Sequence, residues 1–164
     1  MNSPQERNGG FLPDQHDHGD CVAAALEDAI AVCGERGVRL TPVRRRVLEI
    51  IWQGHRPLGA YAILEVLSDE GHSPAPPTVY RALEFLLTQG LVHRLSSLNA
   101  FVGCSRPGHP HAGQFLLCTA CGTAAELNDP DIERAIERGA QAEGFACTDH
   151  TVEISGLCPN CRAA

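Results

Sequence analysis

Lysine is absent from this 164-residue chain, so every side-chain cation other than histidine is one of 13 arginines. Against 20 acidic residues these leave a net charge of −7 at pH 7. That excess opposes a nucleic-acid partner, whose phosphates call for a basic surface. Also missing is any apolar run near the roughly 18 residues that a membrane span requires. The chain is therefore expected to be soluble, with no membrane partner. The opening MNSPQERNGG has neither a basic segment nor an apolar one of the secretory type, which points to the cytoplasm. No phosphate loop, nucleophile–base pair or open-site zinc motif is visible, so an enzyme is not expected.

What the sequence does hold is eight cysteines, four of them in two CxxC pairs. In a reducing compartment such pairs argue for thiolate ligation of metal, or for redox chemistry, before a disulfide framework. The charge is also uneven. Residues 1–34 carry one Arg against six acids, residues 35–98 eight against six, and residues 99–164 four against eight. Only the middle segment is net basic, and it contains the run Arg44-Arg45-Arg46, which a solvated helix face would explain as well as a DNA contact.

The order of elements can be read from periodicity. Residues 1–20 are rich in Gly, Pro, Asp and Asn without a repeat, and are expected to form a disordered arm; His16, His18 and Cys21 near its end are donors that a metal would have to order. Apolar spacing from Val22 to Cys33 predicts a first helix, with Ile30 on its buried face. Thr41 before Pro42 predicts a capped second helix to about residue 53, with Val43, Val47, Ile50 and Ile51 inward. Ala60, Ile63, Leu64 and Leu67 make a third. Pro74, Pro76 and Pro77 postpone the fourth to about Thr78, where Val79, Leu83, Leu86 and Leu87 repeat on one face and Tyr80, Arg81, Glu84 and Thr88 on the other. Two short β-prone runs, 91–95 and 100–104, follow as a hairpin. Helices, reader helix and hairpin make a winged helix-turn-helix over 21–104.

The Pro- and Gly-rich stretch 105–113 reads as a hinge linker. Beyond it, strands near 114–118, 123–127 and 151–155 and a helix from Asp129-Pro130 to about Glu143 make a small α/β domain over 114–164. The fold class is thus α+β, a winged helix domain plus a small C-terminal domain that would benefit from a structural metal.

Cys118-x-x-Cys121 and Cys158-x-x-Cys161 are separated by 36 residues, which leaves room for a strand and a helix between two knuckles. Four soft thiolates and no open position describe a structural zinc site. A thioredoxin-like redox pair would instead place one CxxC at a helix start after a strand. A second set of donors, His93, Cys104, His111 and Glu126, falls where hairpin, linker and second domain succeed one another. Imidazole, thiolate, imidazole and carboxylate would satisfy four-coordinate zinc. His109 is an alternative to His111.

The stretches RLTPVRRRVLEII and PPTVYRALEFLLTQGLVHRL, with the two CxxC pairs, resemble the ferric uptake regulator family over roughly residues 22–162. The resemblance implies a homodimer whose winged helices read a palindromic operator and whose C-terminal domains hold the two chains together. It places Tyr80 and Arg81 at the bases, where an arginine fork can bond guanine O6 and N7, and Tyr61 and Arg39 at the DNA backbone. Iron-sensing members carry a His-His-Asp-His cluster before the first knuckle. Here that stretch is His109-Pro110-His111-Ala112-Gly113-Gln114. The set His93, Cys104, His111 and Glu126 instead matches the sensing site of the zinc-uptake branch, so two zinc ions per chain are implied, one structural and one regulatory, in a zinc-responsive repressor of zinc-uptake genes. An iron or peroxide sensor of the same family, and a cytosolic zinc or redox module without DNA, are the competing readings.

Overall fold

The computed structural model describes residues 11, 17–71 and 75–163. They divide into two units, one holding residues 17–71 and 75–109 and the other residue 11 and residues 110–163.

In the first unit, α1 spans His18–Glu35. Asp17 caps it, its side chain accepting the Gly19 N–H at 2.7 Å, and this cap starts the helix four residues ahead of Val22. The arm expected over 1–20 therefore loses its last three residues to α1; most of the remainder, His16 included, lies outside the described residues. The buried face is Ala25, Leu26, Ala29, Val32 and Cys33, while Ile30 is 56% exposed. Helix α2, Pro42–Trp52, is capped by Thr41, and Val47, Leu48, Ile50 and Ile51 are buried. Val43, expected inside, is exposed.

Helix α3 covers Ala60–Asp69 and α4 covers Pro76–Thr88. The fourth helix starts two residues before Thr78 because Pro76 and Pro77 fill its first turn, where a backbone N–H has no partner within the helix to lose. Side chains from all four helices interlock in one core around Val47, Leu48, Ile63, Leu83 and Leu86. Strands β1, Val92–Leu95, and β2, Ala100–Gly103, form the antiparallel hairpin. Its turn contains Asn99 at φ 47°, a left-handed conformation that asparagine tolerates. Leu58 adds a bridge to Phe101, with reciprocal backbone hydrogen bonds of 3.0 and 2.8 Å.

The second unit has a three-stranded sheet ordered β4-β3-β5, from β3 (Gly113–Cys118), β4 (Ala124–Glu126) and β5 (Thr151–Gly156). Strand β4 runs antiparallel to β3, whereas β5 is parallel to it. A parallel neighbour needs a crossover, and α5, Pro130–Ala142, lies within that connection. A short α6, Pro159–Ala163, follows β5. The core here is small: Phe115, Leu117, Cys118, Ala125 and Cys158 are its buried apolar residues. Helix α5 buries none of its residues.

Candidate metal centre and DNA-reading surface

Cys118 ends β3, and Cys121 follows in a turn that Gly122 completes at φ 76°. Cys158 lies just beyond β5, and Cys161 is in α6. The parallel register sets Cys118 opposite Gly156, so the ends of the two strands lie side by side and the long gap in sequence closes in space. All four sulfurs lie within 4.8 Å of one another. Cys121 Sγ and Cys158 Sγ are 3.8 Å apart. With Zn–S near 2.3 Å, a tetrahedron of sulfurs has an edge of about 3.8 Å, so the set fits a closed four-thiolate centre.

Its electrostatics prepare one thiolate. The N–H groups of Cys121 and Cys158 point at the Cys118 sulfur, the latter at 3.4 Å, and bring its pKa down to about 6. The Thr123 hydroxyl and N–H likewise lower Cys121. Cys161, crowded by the sulfurs of Cys158, Cys118 and Cys121, is pushed up to about 12. A cation would relieve that crowding, because four thiolates need positive charge among them. The redox alternative calls for a single CxxC at the head of a helix after a strand. Cys158 and Cys161 do open the short α6 after β5, but Cys118 and Cys121 span a strand end and a turn, and all four sulfurs gather within 4.8 Å as one set.

The second set of donors is divided between the units. In the first, His93 is half-buried on β1, and Cys104, next after β2, is 1% exposed. The Cys104 N–H donates to Leu91 O at 3.1 Å. In the second unit His111 precedes β3 and Glu126 ends β4; His111 Nε2 and Glu126 Oε1 are 2.7 Å apart, and Glu126 is buried. His109 lies exposed in a turn. At the head of α1, the ring of His18 is 5.0 Å from that of His55.

Tyr80 and Arg81 stand on the exposed face of α4, and Tyr61 is 72% exposed at the start of α3. Arg39 is exposed before α2. The arginine run is occupied within the chain. Arg44 lies over the Phe85 ring at 3.6 Å and donates to Arg39 O. Arg45 pairs with Glu49, and Arg46 bridges Glu49 and Glu70. These pairs tie α2 to α4 and to the end of α3, so the most conspicuous basic motif serves the fold first. The packing of Trp52 on Gly103 leaves no periodic signal in the sequence, because the two residues are far apart in the chain.

A winged helix unit followed by an α/β unit with four gathered thiolates defines a metal-binding protein with a DNA-reading fold. A model of the ferric uptake regulator family matches residues 35–155, and the chain belongs to that family. It is 37% identical to the zinc uptake regulation protein of Escherichia coli K12 over 137 residues, covering 83% of this chain and 80% of that protein. Among solved structures, holo XcZur is 42% identical, with 87% of this chain and 99% of the other covered and a TM-score of 0.80. A zinc uptake regulator complexed with zinc and DNA is 34% identical, with coverages of 91% and 97% and a TM-score of 0.79. Among the described residues no helix is long and apolar enough to cross a membrane.

Proposed function

We propose that the protein is a zinc-responsive transcriptional repressor that binds palindromic operators of zinc-uptake genes as a homodimer in the cytoplasm. The observation that carries this reading is its likeness, along nine-tenths of its length, to a relative solved with both zinc and DNA. The exposed pair Tyr80 and Arg81 supports base reading, and Tyr61 and Arg39 support contacts to the DNA backbone. The chain has no catalytic role in this reading.

Two zinc ions per chain are proposed. Cys118, Cys121, Cys158 and Cys161 hold the structural ion, whose charge stabilises four adjacent thiolates. His93, Cys104, His111 and Glu126 hold the regulatory one. A thiolate in the second set favours zinc over ferrous iron, and the half-buried His111, 2.7 Å from buried Glu126, supplies an imidazole beside a carboxylate. Because these donors come from both units in sequence, binding would select one arrangement of the readers from many, and a ligand shifts a population only through such a difference in affinity.

The surface of the second unit supports pairing of two copies. Strand β5 is at the edge of its sheet, with Ile154 and, just beyond it, Leu157 exposed. Phe145 is 67% exposed after an α5 that buries nothing. An open edge beside unburied apolar side chains invites a second copy, which a twofold axis satisfies for both chains at once.

Operator binding of Cys104→Ser and His93→Ala protein, measured with and without added zinc, tests the assignment. Loss of the zinc dependence is expected; an unchanged dependence would remove these residues from the sensor.

A further inference from the structure

Gly103, the last residue of β2, immediately precedes Cys104. A Cβ at Gly103 would stand 2.1 Å from Trp52 Cε2, 2.3 Å from Nε1 and 2.5 Å from Cζ2. No side chain fits there, so the indole at the end of α2 lies directly on the backbone beside the thiol. A second tether runs from the other side. The Cys104 N–H donates to Leu91 O at 3.1 Å, and the Leu91 N–H donates to Leu86 O, within α4, at 2.9 Å. The two helices are themselves clamped by Arg44 over Phe85. Cys104 is thus joined to α2 by an aromatic ring and to the reader helix by two successive backbone hydrogen bonds.

We propose that Trp52 is a positioning residue for the regulatory metal: seated on Gly103, it makes Cys104 and the reader helix a single rigid piece. Metal captured by Cys104 then redirects the whole reader and leaves its internal geometry intact. This inference rests on the reading of Cys104 as a regulatory ligand. Trp52 is the chain's single tryptophan, so all indole emission comes from the residue seated on Gly103.

The test uses the full-length dimer with its four-cysteine site loaded, and a DNA duplex selected by the zinc-loaded wild type. Affinity for that duplex is measured with and without zinc for wild type, Trp52→Ala, Trp52→Phe, Gly103→Ala and the double variant Gly103→Ala with Trp52→Leu. Because the piece moves as one, zinc should raise the affinity of wild type and leave the Trp52 emission maximum in place; a zinc-induced shift of that maximum would show the contact rearranging and overturn the proposal. In Trp52→Ala the zinc-induced gain in affinity should shrink about tenfold, within the usual span of coupling between sites, whereas Trp52→Phe keeps most of it. Gly103→Ala should lose the gain, and the double variant should recover it in part; this pair decides the matter if Trp52→Ala does not fold. A merely structural role would lower both affinities of Trp52→Ala together and preserve their ratio, which would overturn the proposal, as would a double variant no better than Gly103→Ala. A wild type without zinc dependence would instead remove the functional reading on which the inference stands.

Discussion

Single side chains here divide sharply between those left exposed on the winged helix unit and those that hold the fold. Arg81 is exposed beside Tyr80 on α4, so Arg81→Ala should weaken binding to the preferred duplex by about 1–3 kcal/mol and relax base preference at one position of each half-site. Competition between duplexes altered one base pair at a time checks this. Glu49 behaves differently. Burial would raise its pKa, but hydrogen bonds from Arg46 and Arg45 outweigh that and leave it below its ordinary 4.5. A carboxyl lowered on folding stabilises the folded state above 4.5 and loses that contribution as the pH falls through its folded value. Glu49→Gln should therefore cost no more than about 1 kcal/mol at neutral pH, and its urea midpoint should converge on that of wild type in acid.

At the scale of elements, the hairpin and α4 form one mechanical piece through the bonds at Leu91, and the ends of β3 and β5 form another. Cys158→Ser should dismantle the second unit, because its own core of few buried residues is too slight to stand without the metal. Size-exclusion chromatography and circular dichroism would show monomer and lost structure; a stable dimer would contradict the staple. Helical periodicity made the elements legible, and the spacing of the two CxxC pairs made the thiolate centre so. Periodicity was less informative about helix starts. It missed the Asp17 cap of α1 and underrated Pro76 and Pro77, because both depend on hydrogen bonding in the first turn and not on an apolar stripe. It also put Ile30 and Val43 inside, although side chains at the margin of an apolar stripe are buried only where another element covers them. The partners of Trp52 and Arg44 were invisible for a related reason, being tertiary neighbours without a local pattern.

For the molecule as a whole, the acid excess and the DNA-reading fold are reconciled by distribution. The net basic segment, residues 35–98, contains α2, α3 and α4. Because affinity for duplex DNA is carried by arginines, it should fall steeply with salt, with a slope set by the phosphates neutralised. A redox module would show no such slope. Metal analysis after mild chelation should find one ion per chain retained and one lost, the retained ion matching the closed four-thiolate centre and the labile one the mixed donor set.

The parallel pairing of β5 with β3 also orders events during synthesis. The first unit is complete once residue 109 has been made, but the four-thiolate set must wait for Cys161, 52 residues later. At about 5–20 residues per second that interval is roughly 3–10 s. During it the nascent chain carries a finished reader attached to a C-terminal unit that cannot yet close. On the proposed reading, pairing with a second copy, and with it recognition of a two-part operator, would be deferred until the last knuckle has emerged and captured its ion.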